Sequence, residues 1–132
     1  MRKYLYLAAG VGVIGVAAGA FGAHVLKESL QAKVTINTWN TAVLYNLIHA
    51  PALLAASLYA STNPSYGKWL QRAAACWAIG VGLFSGSLYF LALGGPHWLG
   101  PITPLGGIFL ILGWLCVAGV AGKSGQIPHQ DV

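Results

Sequence analysis

Apolar residues fill four long stretches of this chain, roughly 4–22, 38–60, 69–93 and 103–122, and polar residues collect in the short pieces between them. Each stretch is close to the ~20 residues that a helix needs to cross ~30 Å of hydrocarbon. Open strands are excluded, because their unpaired edges have no partners in lipid. The pattern predicts an all-α membrane protein. It reads as a single domain over 1–132, a four-transmembrane-helix bundle with a loose tail at 123–132. The first stretch has a basic start and small residues around Ala18 to Ala20, as a signal peptide does. Its apolar run outlasts the ~7–15 residues of a signal core, so it reads as a span.

The connections add detail. "AHVLKESLQAKVTINT", between the first two spans, sets Val25, Leu26, Leu30 and Val34 near helical spacing, punctuated by Lys27, Glu28 and Lys33. It reads either as an amphipathic helix lying on the outer surface or as an ordinary polar loop. "GGPHWLGPI" is short and rich in glycine and proline, which makes spans three and four a tight hairpin. Thr103 suits a cap of the last span and Pro104 its first turn.

Composition agrees with the pattern: 57% of the 132 residues are hydrophobic and 7% charged. A soluble domain carries about a quarter charged residues to cover its surface. The net charge of +5 is spread over Arg2, Lys3, Lys27, Lys33, Lys68, Arg72 and Lys123. That dispersal forms no phosphate-tracking stripe, so nucleic acid is not an expected partner. With the amino terminus inside, five of the seven fall inside and only Lys27 and Lys33 outside. The positive-inside rule therefore predicts both termini in the cytoplasm. Trp39, Trp69 and Trp98 fall near span ends, as interfacial belt residues do. Cys76 and Cys116 lie in apolar segments without ligand spacing, so they read as buried thiols, and no metal is expected.

Helix association in lipid rests on close packing. Gly15 with Gly19, and Gly82 with Gly86, form GxxxG pairs, expected to mark close approaches within the bundle; the same motif also serves homo-oligomers. Pro51 removes the hydrogen bond to the carbonyl of Leu47 and predicts a bend beside His49.

Polar groups inside the spans carry whatever chemistry the chain has. Chain direction puts His49 near the midplane, with Thr41, Tyr45, Asn46, Ser85, Ser87 and Thr103 in the outer half. Tyr45, Asn46 and His49 share one helix flank. Two readings stand. One is an interhelical hydrogen-bond cluster stitching span two to span three. The other is a ligand-binding cavity, open outward and using the same groups. A catalytic histidine would want a second titratable group to orient it, and neither Glu28 nor Asp131 falls within a span. Haem between two histidines fails as well, because His24 lies ~16 Å from the depth of His49 at helical rise. No cofactor is implied. A histidine at this depth is expected neutral and hydrogen-bonded to Asn46, Tyr45 or a serine of span three.

"GAFGAH" (Gly19 to His24), "TAVLYNLIHAPALL" (Thr41 to Leu54), "LFSGSLYFLAL" (Leu83 to Leu93) and "GPITPLGGIFLILGW" (Gly100 to Trp114) resemble the YgdD/YwdK-like family. These are small bacterial inner-membrane proteins with a relative among animal mitochondrial membrane proteins, and the family bears the label of a domain of unknown function. The resemblance implies four helices and a multi-pass location in the bacterial inner (plasma) membrane, and supplies no reaction. It carries recurrent positions onto Gly22, Ala23, His24, Thr41, Tyr45 and His49. Phe84, Ser85, Gly86, Tyr89, Thr103, Pro104, Gly106, Gly107 and Trp114 follow. The chain departs from the family at Asn46, where glutamine is frequent, and at Pro51, where leucine is common.

Together these readings predict a non-enzymatic accessory or structural membrane component. Its expected partners are membrane lipids and either another membrane protein or a second copy. The alternative is a binding protein for a lipid-like or quinone-like molecule in an outward-facing crevice near Tyr45, His49 and Ser85.

Overall fold

The computed structural model describes residues 2–124. Its elements are α1 (Arg2–Ala23), the short α2 (Lys27–Ala32), α3 (Ile36–Thr62), α4 (Gly67–Ala92) and α5 (Ile102–Ser124). Single 3₁₀ turns at Pro64–Tyr66 and His97–Leu99 precede α4 and α5. The four long helices run 22 to 27 residues, roughly 33–40 Å at helical rise. All four are long and apolar enough to cross a membrane. Each extends slightly beyond or close to its expected bounds, because helices continue into the interface before a turn residue stops them. Lys123 and Ser124, expected in the tail, form the end of α5; the rest of that tail lies outside the described residues.

The helices pack in chain order. α1 lies on α3, α3 on α4 and α4 on α5, while α1 meets α4 only lightly. α3 and α4 therefore supply most of the buried surface, including Leu53, Ala73 and Trp77. The outer helices leave large apolar side chains uncovered, among them Tyr6, Val13 and Val16 on α1 and Ile111 and Leu115 on α5. In a soluble protein such faces are liabilities; on membrane spans they meet lipid.

Two seams of glycine set the close approaches. On the first, Gly12, Gly15, Gly19 and Gly22 of α1 face Ala50, Asn46 with Leu47, Val43 and Trp39 of α3. On the second, Gly80 of α4 sits against Leu110, whose backbone nitrogen lies 2.9 Å from where a Cβ would be. Gly113 receives the Trp77 ring, and Gly106 receives the backbone of Phe84. Ser87 meets Thr103 one step further. Steps up α4 match equal steps down α5, which is the register of an antiparallel pair on one face of each helix. The free thiols of Cys76 and Cys116 are neighbours across the same hairpin.

Gly82 and Gly86 do not take part. A Cβ added at either would meet no atom within 4 Å. The expected packing motif on α4 is displaced: the contact face carries Gly80, and the Gly82–Gly86 face is open.

At the far end of the bundle, α2 is shorter than the amphipathic stretch expected. Leu30 is fully buried against Trp39 and Ala92, but Val25 and Val34 point outward. Trp39 is not a belt residue either. It is buried, and its N–H donates to the Ala18 carbonyl at 2.9 Å. Trp98 is 66% exposed, as belt residues are.

The α2–α3 turn also clasps α4. Thr35 Oγ1 donates to the Ala92 carbonyl at 2.8 Å and Lys33 Nζ to the Leu93 carbonyl at 3.1 Å. These are orphan carbonyls of a helix end, and a cation there also suits the helix dipole. α4 itself closes in a Schellman turn, with Gly94 at φ 91°, Gly94 N–H donating to Leu91 and Gly95 N–H to Phe90.

Candidate functional site

Among the described residues, the buried polar side chains are those of Asn46, His49, Ser57, Ser85 and Ser87. They resolve into separate bonds along the helix seams. Asn46 Nδ2 donates to the carbonyl of Val11 on α1. It therefore ties α3 to α1, where a tie to span three was expected. Span one has few polar side chains, but its carbonyls remain acceptors. Ser85 Oγ donates to the Ala42 carbonyl at 2.8 Å and ties α4 to α3. Ser87 Oγ donates to its own-helix carbonyl at Phe84, 3.0 Å away, which leaves it to accept from Thr103 Oγ1 at 2.6 Å. Thr103 thus links α5 to α4, and its hydroxyl is not used as the expected helix cap. Ser57 bonds back to Leu53 within α3.

Thr41 and Tyr45 lie outside this set. Thr41 is exposed and its hydroxyl returns to the Asn37 carbonyl at 2.9 Å. The Tyr45 ring is 37% exposed and packs on Phe84 with centroids 4.4 Å apart. Helical spacing puts Tyr45 on the flank of Asn46 and His49, and that flank is wide enough to reach the outer surface.

His49 is 4% exposed and faces the middle of the bundle. Nδ1 lies 2.8 Å from the Tyr45 carbonyl, and Nε2 lies 3.3 Å from Nε1 of Trp114 on α5. A carbonyl only accepts and an indole N–H only donates. The ring must then carry its proton on Nδ1 and offer the Nε2 lone pair, which is the neutral form. The expected partners were the side chains of Asn46, Tyr45 or a serine; the actual ones are a backbone carbonyl and a tryptophan. Trp77 and Trp114 each present an edge to the imidazole, with centroids 6.1 Å away, and stand 4.7 Å from one another. This aromatic group joins α3, α4 and α5 at mid-depth. The signal for it was two tryptophans in the middle of spans, away from the interfaces that indoles favour.

Among the described residues, two buried side-chain polar atoms have no hydrogen-bond partner, Trp77 Nε1 and Tyr89 Oη. Both residues border apolar grooves. One groove, of about 570 Å³, lies between α3 and α5 with Leu70 and Trp77 of α4 among its lining residues. Trp114 lines it at mid-depth, and Tyr59, Tyr66 and Ser124 line it towards the ends of α3 and α5. The other, of about 450 Å³, includes Trp39, Gly86, Tyr89 and Phe90. The larger groove runs through the opposite half of the bundle from the crevice expected beside Tyr45 and Ser85, because hydrogen bonds between helices draw that polar half together. Among the described residues, no three of His, Cys, Asp and Glu come together as a metal site requires.

The model of a protein family described as "Protein of unknown function (DUF423)" matches residues 18–107. A UPF0382 membrane protein of Haemophilus influenzae is 40% identical over 124 residues, covering 93% of this chain and 96% of that protein. A UPF0382 membrane protein of Staphylococcus epidermidis is 39% identical over 117 residues, covering 87% and 91%. The UPF0382 inner membrane protein YgdD of Escherichia coli is 35% identical over 131 residues, covering 98% of each. No solved structure matches the chain.

Proposed function

The chain belongs to the DUF423 family of proteins of unknown function, and we propose that it acts without chemistry of its own, as an accessory or structural component of the bacterial inner membrane. The observation that carries this reading is the state of His49. Both of its ring nitrogens are committed to the bundle, one to Tyr45 and one to Trp114. General acid–base work needs a group within reach of a substrate proton, and neither nitrogen is free to face one. Asn46, Ser85 and Ser87 are held in the same way by neighbouring helices. The uncovered apolar faces of α1 and α5 suit association with another membrane protein or a second copy, in a chain whose termini both lie in the cytoplasm.

A second reading rests on the groove between α3 and α5. It is wide and almost wholly apolar in its lining. A lipid-like or quinone-like molecule suits such a place. Native mass spectrometry after gentle extraction separates the two readings. The accessory role predicts a bare chain, a dimer or a complex with another protein. A stoichiometric apolar molecule that is expelled by Ala55→Trp, with the fold intact, would establish the second reading and overturn the first.

A further inference from the structure

The open face of α4 runs through Lys68, Arg72, Ala75, Ile79, Gly82 and Gly86, residues spaced alternately four and three apart on one side of the helix. At its start lies a cleft of about 270 Å³, formed by Lys68, Gln71, Arg72 and Ala75 of α4 with Tyr4 of α1. The ammonium of Lys3 sits 4.9 Å from the centre of the Tyr4 ring, and the Arg72 guanidinium 5.4 Å from the Trp69 ring. Two cations, Lys68 and Arg72, therefore line one small depression, and a third, Lys3, lies beside its Tyr4 wall. Among the described residues the only acidic side chain is Glu28, on α2 at the opposite end of the bundle. The first turn of α4 adds the positive end of its dipole.

The face continues as a shallow furrow. α1 and α4 touch only lightly along it, Ala75 and Gly82 are small on either side of the half-exposed Ile79, and no atom approaches within 4 Å of a Cβ placed at Gly82 or Gly86. From Arg72 to Gly82 is roughly 15 Å at helical rise, about half of the ~30 Å hydrocarbon thickness. That is the depth of one leaflet.

We propose that this face is a binding site for an anionic phospholipid, its phosphate held by Lys68 and Arg72 and one acyl chain laid along the furrow to Gly82. Cations at the end of a span attract anionic headgroups, and the furrow supplies what a soluble phosphate would not use. The two parts are continuous on one helix, which selects a molecule that is charged at one end and apolar along the other. The open glycines thus serve a lipid contact in place of a helix contact.

The test uses the full chain, delipidated in detergent, with thermal transitions and native mass spectra recorded after adding one probe at a time. Phosphatidylglycerol is expected to bind and raise the transition, whereas phosphatidylethanolamine, inorganic phosphate and glycerol phosphate leave it in place. Lys68→Gln and Arg72→Gln each weaken phosphatidylglycerol retention roughly fivefold and together roughly thirtyfold. Gly82→Leu weakens it as well, without lowering the transition of the delipidated protein, and Lys27→Gln at the other end has no effect. Equal retention of the two phospholipids, full retention by the Lys68→Gln/Arg72→Gln variant, or a shift reproduced by inorganic phosphate would each overturn the proposal. The last outcome would make this a site for a soluble anion.

Discussion

The indole N–H of Trp114 points at Nε2 of His49 from 3.3 Å, across the middle of the bundle. α3 and α5 have little direct contact otherwise, so this bond and the rings around it hold the two helices at a fixed distance over α4. Trp114→Phe removes the donor while leaving an aromatic ring in the cluster. It is expected to lower stability by about 0.6 kcal/mol, an average interhelical hydrogen bond in a membrane protein. His49→Ala also leaves the Trp114 N–H unpaired and empties part of the aromatic group, so about 1–3 kcal/mol is expected. Chemical denaturation in detergent measures both. An imidazole nitrogen spectrum of the wild type should show the proton on Nδ1 at pH 7. A proton on Nε2 would contradict the bond itself.

The glycines of the α4–α5 hairpin differ sharply in what they tolerate. Gly106→Leu drives a side chain into the backbone of Phe84, and Gly80→Leu drives one into Leu110. Overpacking of this kind costs about 1–3 kcal/mol where the neighbours can yield. Here backbone must move, so the upper end of that range or loss of the folded bundle is expected. Gly86→Leu meets open space and should leave the thermal transition of the isolated protein nearly unchanged. A large loss at Gly86 with little at Gly106 would show that α4 is rotated about its axis relative to this arrangement.

The contrast explains what the sequence revealed. Hydropathy locates spans because every turn of a helix in lipid must be apolar, and the four helices fall close to their expected places. It says little about which face turns inward, since lipid is as apolar as the core. Gly15 and Gly82 look alike in sequence, but one lies in a seam and the other on an open face. The site was legible in the same partial way. Asn46, His49, Ser85, Ser87 and Thr103 stand out as polar atoms in lipid, and they do meet the bundle interior. Their partners did not stand out, because most are main-chain carbonyls, which every residue possesses. Trp114 lies 65 positions from His49, and spacing rules reach no further than one helix.

Topology is open to a direct measurement. Arg2, Lys3, Lys68, Arg72 and Lys123 share the end of the bundle where α1 and α4 begin and α5 finishes. The positive-inside rule predicts that this end faces the cytoplasm. In a chain with Cys76 and Cys116 replaced by alanine, a membrane-impermeant thiol reagent applied to intact cells should label a cysteine introduced at Lys27 and miss one at Ser124. Labelling only at Ser124 would invert the orientation and put the cationic cleft in the outer leaflet.

Val34 supplies the last prediction. α2 ends in a Schellman turn like that of α4: Thr35 N–H donates to Leu30 at 2.9 Å and Val34 N–H to Gln31 at 3.1 Å. α4 has Gly94 at the left-handed position, whereas α2 has Val34, at φ 57°. A left-handed conformation costs a residue with a Cβ roughly 1–2 kcal/mol, and a β-branched residue is the least suited to it. The side chain gives nothing back, being 86% exposed. What holds the turn is the next contact along, because Lys33 and Thr35 on either side are bound to the carbonyls that end α4. Relief of the strain is therefore available without loss of packing. Val34→Gly should raise stability by about 1 kcal/mol, part of the gain being offset by the added freedom of glycine in the unfolded chain. Thr35→Val, which removes the hydroxyl bond to Ala92, should lower it. If Val34→Gly is neutral or destabilising in the same denaturation assay, the strained turn is not the conformation that the protein adopts.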